Sequence, residues 1–187
     1  MTTDTRTALL DSAEQAARTR GFDGFSYADL AKDVGIRKAS IHHHFATKAA
    51  LSMALMRRYR AGIEAACADI ERSHPTGAAR LGALIGLYRD ALQGGKSLCL
   101  CVSFSASRES LPAEVIVEID HFRQAVINWI KMVFATGQSD RTIAGVVDPQ
   151  EEAAATLALL EGAQLAARAG ESVVLFENAL QLLQRRI

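Results

Sequence analysis

Residues 21–51 read GFDGFSYADLAKDVGIRKASIHHHFATKAAL and predict two short helices with a glycine break between them. Ser26 is placed to cap a first helix over Tyr27–Val34, and Gly35 suits the left-handed backbone that ends a helix. Residues 38–45 predict the second helix, since their apolar positions recur at helical spacing. Two helices of about two turns joined in this way are typical of a helix-turn-helix, whose second helix fits a DNA major groove.

Positive charge is concentrated in and just after this segment. Residues 34–63 contain no Asp or Glu and six basic residues, namely Arg37, Lys38, Lys48, Arg57, Arg58 and Arg60. The whole chain has 21 residues of each sign, so the remainder has 15 basic against 21 acidic residues. Such a cluster is the electrostatic footprint expected where DNA phosphates dock. A solvated basic helix end is the alternative, and coincidence with the two-helix pattern disfavours it.

The segment resembles the DNA-binding signature of the TetR family of one-component transcriptional regulators. The matching residues are Gly21, Phe22, Phe25, Ser26, Leu30, Ala31, Val34, Gly35, Ile36, Ala39, Ser40, Ile41, His44, Phe45, Lys48 and Leu51. The resemblance covers about the first quarter of the chain. It implies an all-α fold of about nine helices, with an N-terminal helix-turn-helix domain (residues 1–47) and a C-terminal ligand-binding and dimerisation domain (residues 48–187).

Candidate DNA contacts lie on the second short helix and at the starts of its two neighbours. They are Ser26, Tyr27, Arg37, Lys38, Ala39, Ser40, His42, His43 and Lys48. Ser26, Tyr27 and Lys48 are the predicted phosphate contacts, which fix position more than they read sequence. His42 departs from the family, which usually has a phosphate-contacting tyrosine there. Histidine can make that contact too, more strongly when it is protonated.

Three consecutive histidines, His42 to His44, invite a metal-site interpretation. Neighbouring residues on a helix point about 100° apart, so these side chains cannot easily converge on one ion. Cys67, His74 and His121 show no ligand spacing. The sequence therefore predicts neither a metal nor another cofactor.

The rest of the chain predicts further helices. They cover residues 5–20, 48–73, a stretch between Pro75 and Gly94, 97–107, 111–136, 148–169 and 172–186. No apolar run approaches the roughly 18 residues that span a bilayer, and the first residues lack the apolar core of a signal peptide. Three cysteines do not make a disulfide framework. We expect a cytoplasmic protein with no membrane partner.

The last two predicted helices are apolar over more than half of their surface. Burial within one chain is one interpretation. Packing against the same pair from a second chain, as a four-helix interface around a two-fold axis, is favoured, and the resemblance implies it as well. The predicted interface residues are Leu157, Leu160, Val173, Phe176, Leu180 and Leu183.

The resemblance also implies a ligand pocket in the second domain. Its candidate lining residues are Tyr88, Cys99, Phe104, Phe122 and Trp129, each of which core packing explains as well. An apolar or weakly amphipathic small molecule is the expected ligand.

Cys99 and Cys101 lie in an apolar stretch similar to a Gly-Cys-Leu segment of many TetR-like regulators, with Leu98 in place of the glycine. Some members sense oxidants or electrophiles through a cysteine in this region. The resemblance therefore leaves open a thiol-based redox or electrophile sensor that uses Cys99 or Cys101. Inert packing of free thiols in an apolar helix is the competing interpretation.

Enzyme signatures are missing from the sequence. It contains no Gly-x-Ser-x-Gly elbow, no phosphate-binding glycine loop and no His-Glu-x-x-His. We therefore expect a DNA-binding regulator and not an enzyme. It would be a homodimeric repressor that binds a palindromic double-stranded operator and is released by a small-molecule inducer.

Overall fold

Regular structure is entirely helical in residues 4–187, the part of the chain that the computed structural model describes. The helices are α1 (Thr5–Arg20), α2 (Tyr27–Val34), α3 (Lys38–His44), α4 (Lys48–Ser73), α5 (Gly77–Asp90), α6 (Leu100–Ser105), α7 (Ala113–Ser139), α8 (Pro149–Ala169) and α9 (Val173–Gln184), with a short 3₁₀ helix at Arg108–Ser110. The predicted all-α class with about nine helices is confirmed. Over the same residues, no helix has both the length and the apolar character needed to cross a bilayer.

Local capping chemistry sets the helix ends around the two-helix pattern. The Ser26 hydroxyl accepts a hydrogen bond from the Asp29 N–H, and the Asp29 carboxylate accepts one from the Ser26 N–H. This reciprocal pair is a capping box. Gly35 ends α2 in the left-handed conformation with φ 73°, and the Thr47 hydroxyl accepts from the Ala50 N–H at the start of α4. The predicted roles of Ser26 and Gly35 are confirmed.

Helix α7 extends further than the sequence indicated. We expected it to end near residue 136 and a loop to begin at Gly137. The helix continues to Ser139. A Cβ atom on Gly137 would lie 2.4 Å from side-chain atoms of Ile143, so the glycine serves close packing there and does not end the helix.

Helix α6 is shorter than predicted, covering Leu100–Ser105 and not the whole of 97–107. The reason lies in the turn that follows α5. The Ser97 N–H donates to the Leu92 carbonyl at 3.0 Å and so belongs to that turn. The helix therefore begins only after this hydrogen bond.

The chain divides into two compact units. Unit 1 consists of the described residues up to Ala61 together with Leu100–Phe122, and unit 2 consists of Gly62–Cys99 and Arg123–Ile187. Helices α4 and α7 each contribute residues to both units. These units are defined by contacts in space, whereas the domains expected at residues 1–47 and 48–187 are defined by function. The functional domains stay a prediction.

The core of unit 1 is built on α1, which packs against both α2 and α6. Alanines such as Ala13 and Ala17 have no exposed surface, and their small size lets the neighbouring helices approach closely. Ser103 of α6 donates its hydroxyl to the Ala17 carbonyl at 2.5 Å. The Phe104 ring meets the Phe22 ring edge-on, with 5.6 Å between centroids. Helix α6 is thus part of the unit that contains the helix-turn-helix.

A fully buried glutamine connects three segments of unit 2, where α5, α8 and α9 pack together. Gln164 on α8 accepts a hydrogen bond from the Cys99 N–H through Oε1 and donates one to the Tyr88 carbonyl through Nε2, both at 2.9 Å. Its amide is therefore satisfied on both sides despite its burial. The bonds tie the middle of α8 to the end of α5 and to the segment before α6.

The structure corrects the prediction of which side chains α8 and α9 offer to a second chain. Of the six residues named from the sequence, five are buried in their own chain and one is half-buried. The buried ones are Leu157, Leu160, Phe176, Leu180 and Leu183, and the half-buried one is Val173. A side chain that is already covered has no surface left for a partner. The exposed apolar side chains of these helices are others, among them Leu165, Val174, Leu175 and Leu182.

We predict that Gly77→Ala lowers the free energy of unfolding by about 1–3 kcal/mol. A Cβ atom on Gly77 would lie 2.3 Å from the backbone nitrogen of Gly137 and 2.9 Å from the Val133 carbonyl oxygen, and backbone atoms cannot swing away. Gly86→Ala is the matched control in the same helix. Nothing lies within 4 Å of its Cβ position, and alanine favours a helix by up to about 1 kcal/mol.

Urea unfolding followed by circular dichroism measures both changes. Equal stability of the two variants would show that the Gly77 backbone does not need this close approach.

Candidate DNA-binding interface

Helix α3 turns one face into the core and the other outwards. Ile41 has no exposed surface, and Phe45, which follows the helix, is also buried. On the outward side, the predicted contacts Arg37, Lys38, Ala39, His42 and His43 are exposed, and Ser40 is half-buried. The structure therefore brings these residues together on one surface, as a recognition helix requires. Their contacts with DNA stay a prediction.

Partners that are distant in sequence neutralise part of the basic cluster. Arg57 donates to the Glu118 carboxylate at 2.6 Å, within unit 1. Arg58 donates to Asp11 at 2.7 Å and to Glu14 at 2.8 Å. A count of charges along residues 34–63 does not detect these pairs, since all three carboxylates lie outside that window. The uncompensated positive charge of residues 34–63 is thus smaller than the count suggested.

Ser26 and Tyr27 differ in their surroundings although they are neighbours. Ser26 is exposed, with its hydroxyl engaged in the capping box. Tyr27 is buried, and its hydroxyl donates to the Phe45 carbonyl at 2.9 Å. Burial raises the pKa of Tyr27 to about 12, so the phenol keeps the proton that it donates. The hydroxyl that was predicted to contact phosphate therefore connects the start of α2 to the end of α3.

Lys48 lies against the connection between α1 and α2. Its Nζ atom donates to the Phe22 carbonyl at 2.5 Å and to the Phe25 carbonyl at 2.8 Å. The same atom lies 4.4 Å and 4.3 Å from the centroids of the Phe22 and Phe25 rings. Loss of water around the ammonium lowers the pKa of Lys48, and attraction to Asp23 and Asp29 opposes that change. Sequence reasoning missed both phenylalanines as functional residues, because their part depends on backbone carbonyls.

His42 has one ring nitrogen engaged within the chain. Its Nδ1 lies 3.2 Å from the Ala46 carbonyl oxygen, and since a carbonyl only accepts, this contact requires a proton on Nδ1. The other nitrogen, Nε2, then donates to a phosphate only when the ring is positively charged. Across residues 4–187, no group of three or more His, Cys, Asp or Glu side chains is arranged to hold a metal ion.

The candidate ligand and redox residues lie in the interior of the two units. In unit 1, Phe104 and Cys101 have no exposed surface, and Phe122 has almost none. In unit 2, Tyr88 and Cys99 are buried, and Trp129 is half-buried. The ligand pocket and the redox role stay predictions, and core packing accounts for the positions of these side chains.

Comparisons with known proteins extend the likeness from the helix-turn-helix to nearly the whole chain. The family model described as bacterial regulatory proteins, tetR family, matches residues 9–55. The HTH-type transcriptional repressor NemR of Escherichia coli K12 is 29% identical over 190 residues, covering 95% of this chain and 90% of NemR.

Solved structures agree with these matches. A TetR-family transcriptional regulator from Agrobacterium tumefaciens is similar with a TM-score of 0.93 and 28% identity, covering 98% of this chain and 97% of that one. The reduced form of E. coli NemR is similar with a TM-score of 0.84 and 26% identity, covering 98% and 96% of the two chains.

Proposed function

The chain belongs to the TetR family of transcriptional regulators, and we propose that it is a homodimeric repressor of a palindromic DNA operator. It is a regulator and not an enzyme. The observation that carries the proposal is the outward face of α3, where Lys38, His42 and His43 are exposed while Ile41 anchors the opposite face in the core. Repression is supported by the description of the E. coli relative NemR as a transcriptional repressor.

The residues on this face divide into two roles. Arg37, Lys38 and Ser26 bind phosphates and set the position of α3 on the duplex, since cations and hydroxyls contact the sugar-phosphate backbone without reading sequence. His43 and Ala39 face base edges in the major groove, where a ring nitrogen meets base donors or acceptors and a methyl group meets thymine methyls.

The inducer acts by shifting a population between arrangements of the dimer. The two α3 helices of a dimer reach successive major grooves on one face of the duplex when they are about 34–36 Å apart. A small, apolar molecule that binds more tightly to another spacing weakens operator binding, tenfold for each 1.4 kcal/mol or so of preference. Helix α4 supplies a continuous backbone for this change, because it begins in unit 1 at Lys48 and ends in unit 2 at Ser73.

The outward faces of α8 and α9 support the homodimer. Their exposed small or apolar residues, here called the α8–α9 face, include Ala155, Ala158, Gly162, Leu165, Leu175 and Leu182. Small residues on α8 allow a partner helix to approach closely. A cavity of about 170 Å³ between α8 and α9, lined in part by Ala155 and Leu182, offers space for a partner side chain. Isologous pairing of this face gives the two-fold symmetry that a palindrome needs.

Leu182→Glu is expected to weaken the dimer at least about 100-fold, because Leu182 is 74% exposed on the α8–α9 face and each interface would bury two carboxylates. Sedimentation at micromolar concentration should then show a monomer that no longer retains an operator with two half-sites. Val147→Glu, at an 88% exposed loop position, is the control and should remain dimeric. A Leu182→Glu variant that stays dimeric would place the interface elsewhere.

Binding of duplex DNA should weaken steeply with salt. If each half-site neutralises about three to four phosphates, the logarithm of the dimer's affinity falls against log salt with a slope of about −5 to −7. Lys38→Ala, present twice per dimer, should make that slope shallower by about 2, and Lys131→Ala in α7 should leave it unchanged. Failure of the wild-type protein to retain any duplex at low ionic strength would contradict the proposed function.

A second candidate function is thiol-based sensing of oxidants or electrophiles through Cys99 or Cys101. It is favoured by the E. coli relative, whose structure is described specifically as a reduced form. It is also favoured by the position of Cys101 on α6, in the unit that contains the helix-turn-helix. Burial opposes it, since Cys99 is 3% exposed and Cys101 is fully covered, so an oxidant reaches them only when the segment opens.

If sensing operates, the thiol oxidant diamide should release the wild-type protein from DNA and leave the Cys99→Ser/Cys101→Ser double variant bound. Cys67→Ser is the matched control and should behave as wild type. Cys67 is buried, and burial raises its pKa to about 12, so it holds almost no thiolate at neutral pH. Release of the double variant by diamide would exclude both cysteines as sensors and leave the inducer proposal intact.

A further inference from the structure

We infer that Lys48 is a positioning residue: it holds the start of α4 against the connection between α1 and α2, and thereby fixes the orientation of α3 for DNA. The inference rests on the proposed DNA-binding function and deepens it. It also replaces the role that the sequence alone suggested for Lys48, a salt link to a DNA phosphate.

The surroundings of the Lys48 ammonium are supplied by its own chain. An ammonium has three N–H donors, and two of them go to the carbonyls of Phe22 and Phe25. The faces of the same two residues' rings lie within 4.4 Å of Nζ, which is cation–π distance. Moving Nζ out to a phosphate would give up both hydrogen bonds and both ring contacts.

The contact also satisfies the two backbone carbonyls. Phe22 and Phe25 lie in the non-helical connection between α1 and α2, so their backbone oxygens need donors from outside the regular helical ladder. Because the Lys48 side chain donates to both oxygens, it restricts the conformation of the connection. Phe22 is in turn held by the edge-on contact with Phe104 of α6. Lys48 therefore grips a segment that is itself anchored in the core of unit 1.

A second tie makes the position of α3 depend on this grip. Tyr27 donates to the Phe45 carbonyl and so holds the start of α2 against the end of α3. Only Ala46 and Thr47 separate Phe45 from Lys48. The corner between α3 and α4 is thus fastened to α2 on one side and to the α1–α2 connection on the other. Releasing Lys48 frees one side of that corner.

Base reading is more sensitive than phosphate contact to such a release. Hydrogen bonds to base edges need donor–acceptor distances of about 2.7–3.2 Å, so a small rotation of α3 removes them. Attraction to phosphates falls off gradually and tolerates the same movement. Loss of a positioning residue therefore lowers specific binding more than non-specific binding.

The test compares Lys48→Met with Lys38→Ala on two duplexes, well below the melting temperature of each protein. One duplex is selected from a random pool by the wild-type protein, and the other is a scrambled duplex of equal length. Lys48→Met should bind the selected duplex about 10–100-fold more weakly, bind the scrambled one within about threefold of wild type, and keep the wild-type salt slope. Lys38→Ala should weaken binding to both duplexes and make the slope shallower by about 2.

Two results would overturn the inference. Equal losses on both duplexes, with a slope shallower by about 2 for Lys48→Met, would restore the phosphate role. A lowered melting temperature with unchanged affinities for both duplexes would reduce Lys48 to a purely structural residue. If the wild-type protein selects no duplex at all, that result would contradict the proposed DNA-binding function and not the role of Lys48.

The wild-type protein provides a second measurement that does not depend on the variant folding. In spectra of ¹⁵N-labelled lysine side chains, the Lys48 ammonium should give a protected signal in the free protein that hardly shifts when the selected duplex binds. A signal that appears or shifts strongly only with DNA would contradict the positioning role. Lys38 serves as the internal comparison, because its exposed ammonium should respond to DNA.

Discussion

A helix as short as α3 cannot keep its shape alone, and the proposed function depends on how the rest of unit 1 holds it. Seven residues lie well below the roughly 12–15 that a helix needs to be even marginally stable in water. Ile41 anchors its inner face, the Tyr27 hydroxyl holds its end, and Lys48 fastens the corner that follows. The outward face of α3 can carry histidines and other polar residues because contacts on the inner face and at the end of the helix stabilise it.

The sequence predicted most of the fold because most helix ends here are decided by nearby residues. Ser26 finds its partner three residues away, and Gly35 ends α2 through its own backbone freedom. Two of the errors arise where the deciding atom is distant in sequence. The backbone of Gly137 lies close to Gly77 of α5, and Arg57 is neutralised by Glu118, 61 residues further along. Neither contact can be predicted from a stretch of ten residues around either partner.

The candidate site was predicted by position and corrected by contacts. The sequence predicted which residues of α3 share one surface, because the family pattern fixes which turn of the chain they occupy. The internal roles of Tyr27 and Lys48 were missed because their acceptors are backbone carbonyls, which every residue has. On α8 and α9 the failure has another cause. Leucines lie on both sides of these helices, so periodicity does not separate the covered Leu160 from the exposed Leu165.

Helix α6 belongs to unit 1 although it begins more than fifty residues after the end of α3. A fragment cut after α4 would therefore lose the contacts of α6 with Ala17 and Phe22. It would expose apolar surface that is buried in the intact protein. Chimaeric regulators built by exchanging N-terminal segments between relatives face the same problem. The transplanted piece would need a matching α6 in its new host to remain well folded.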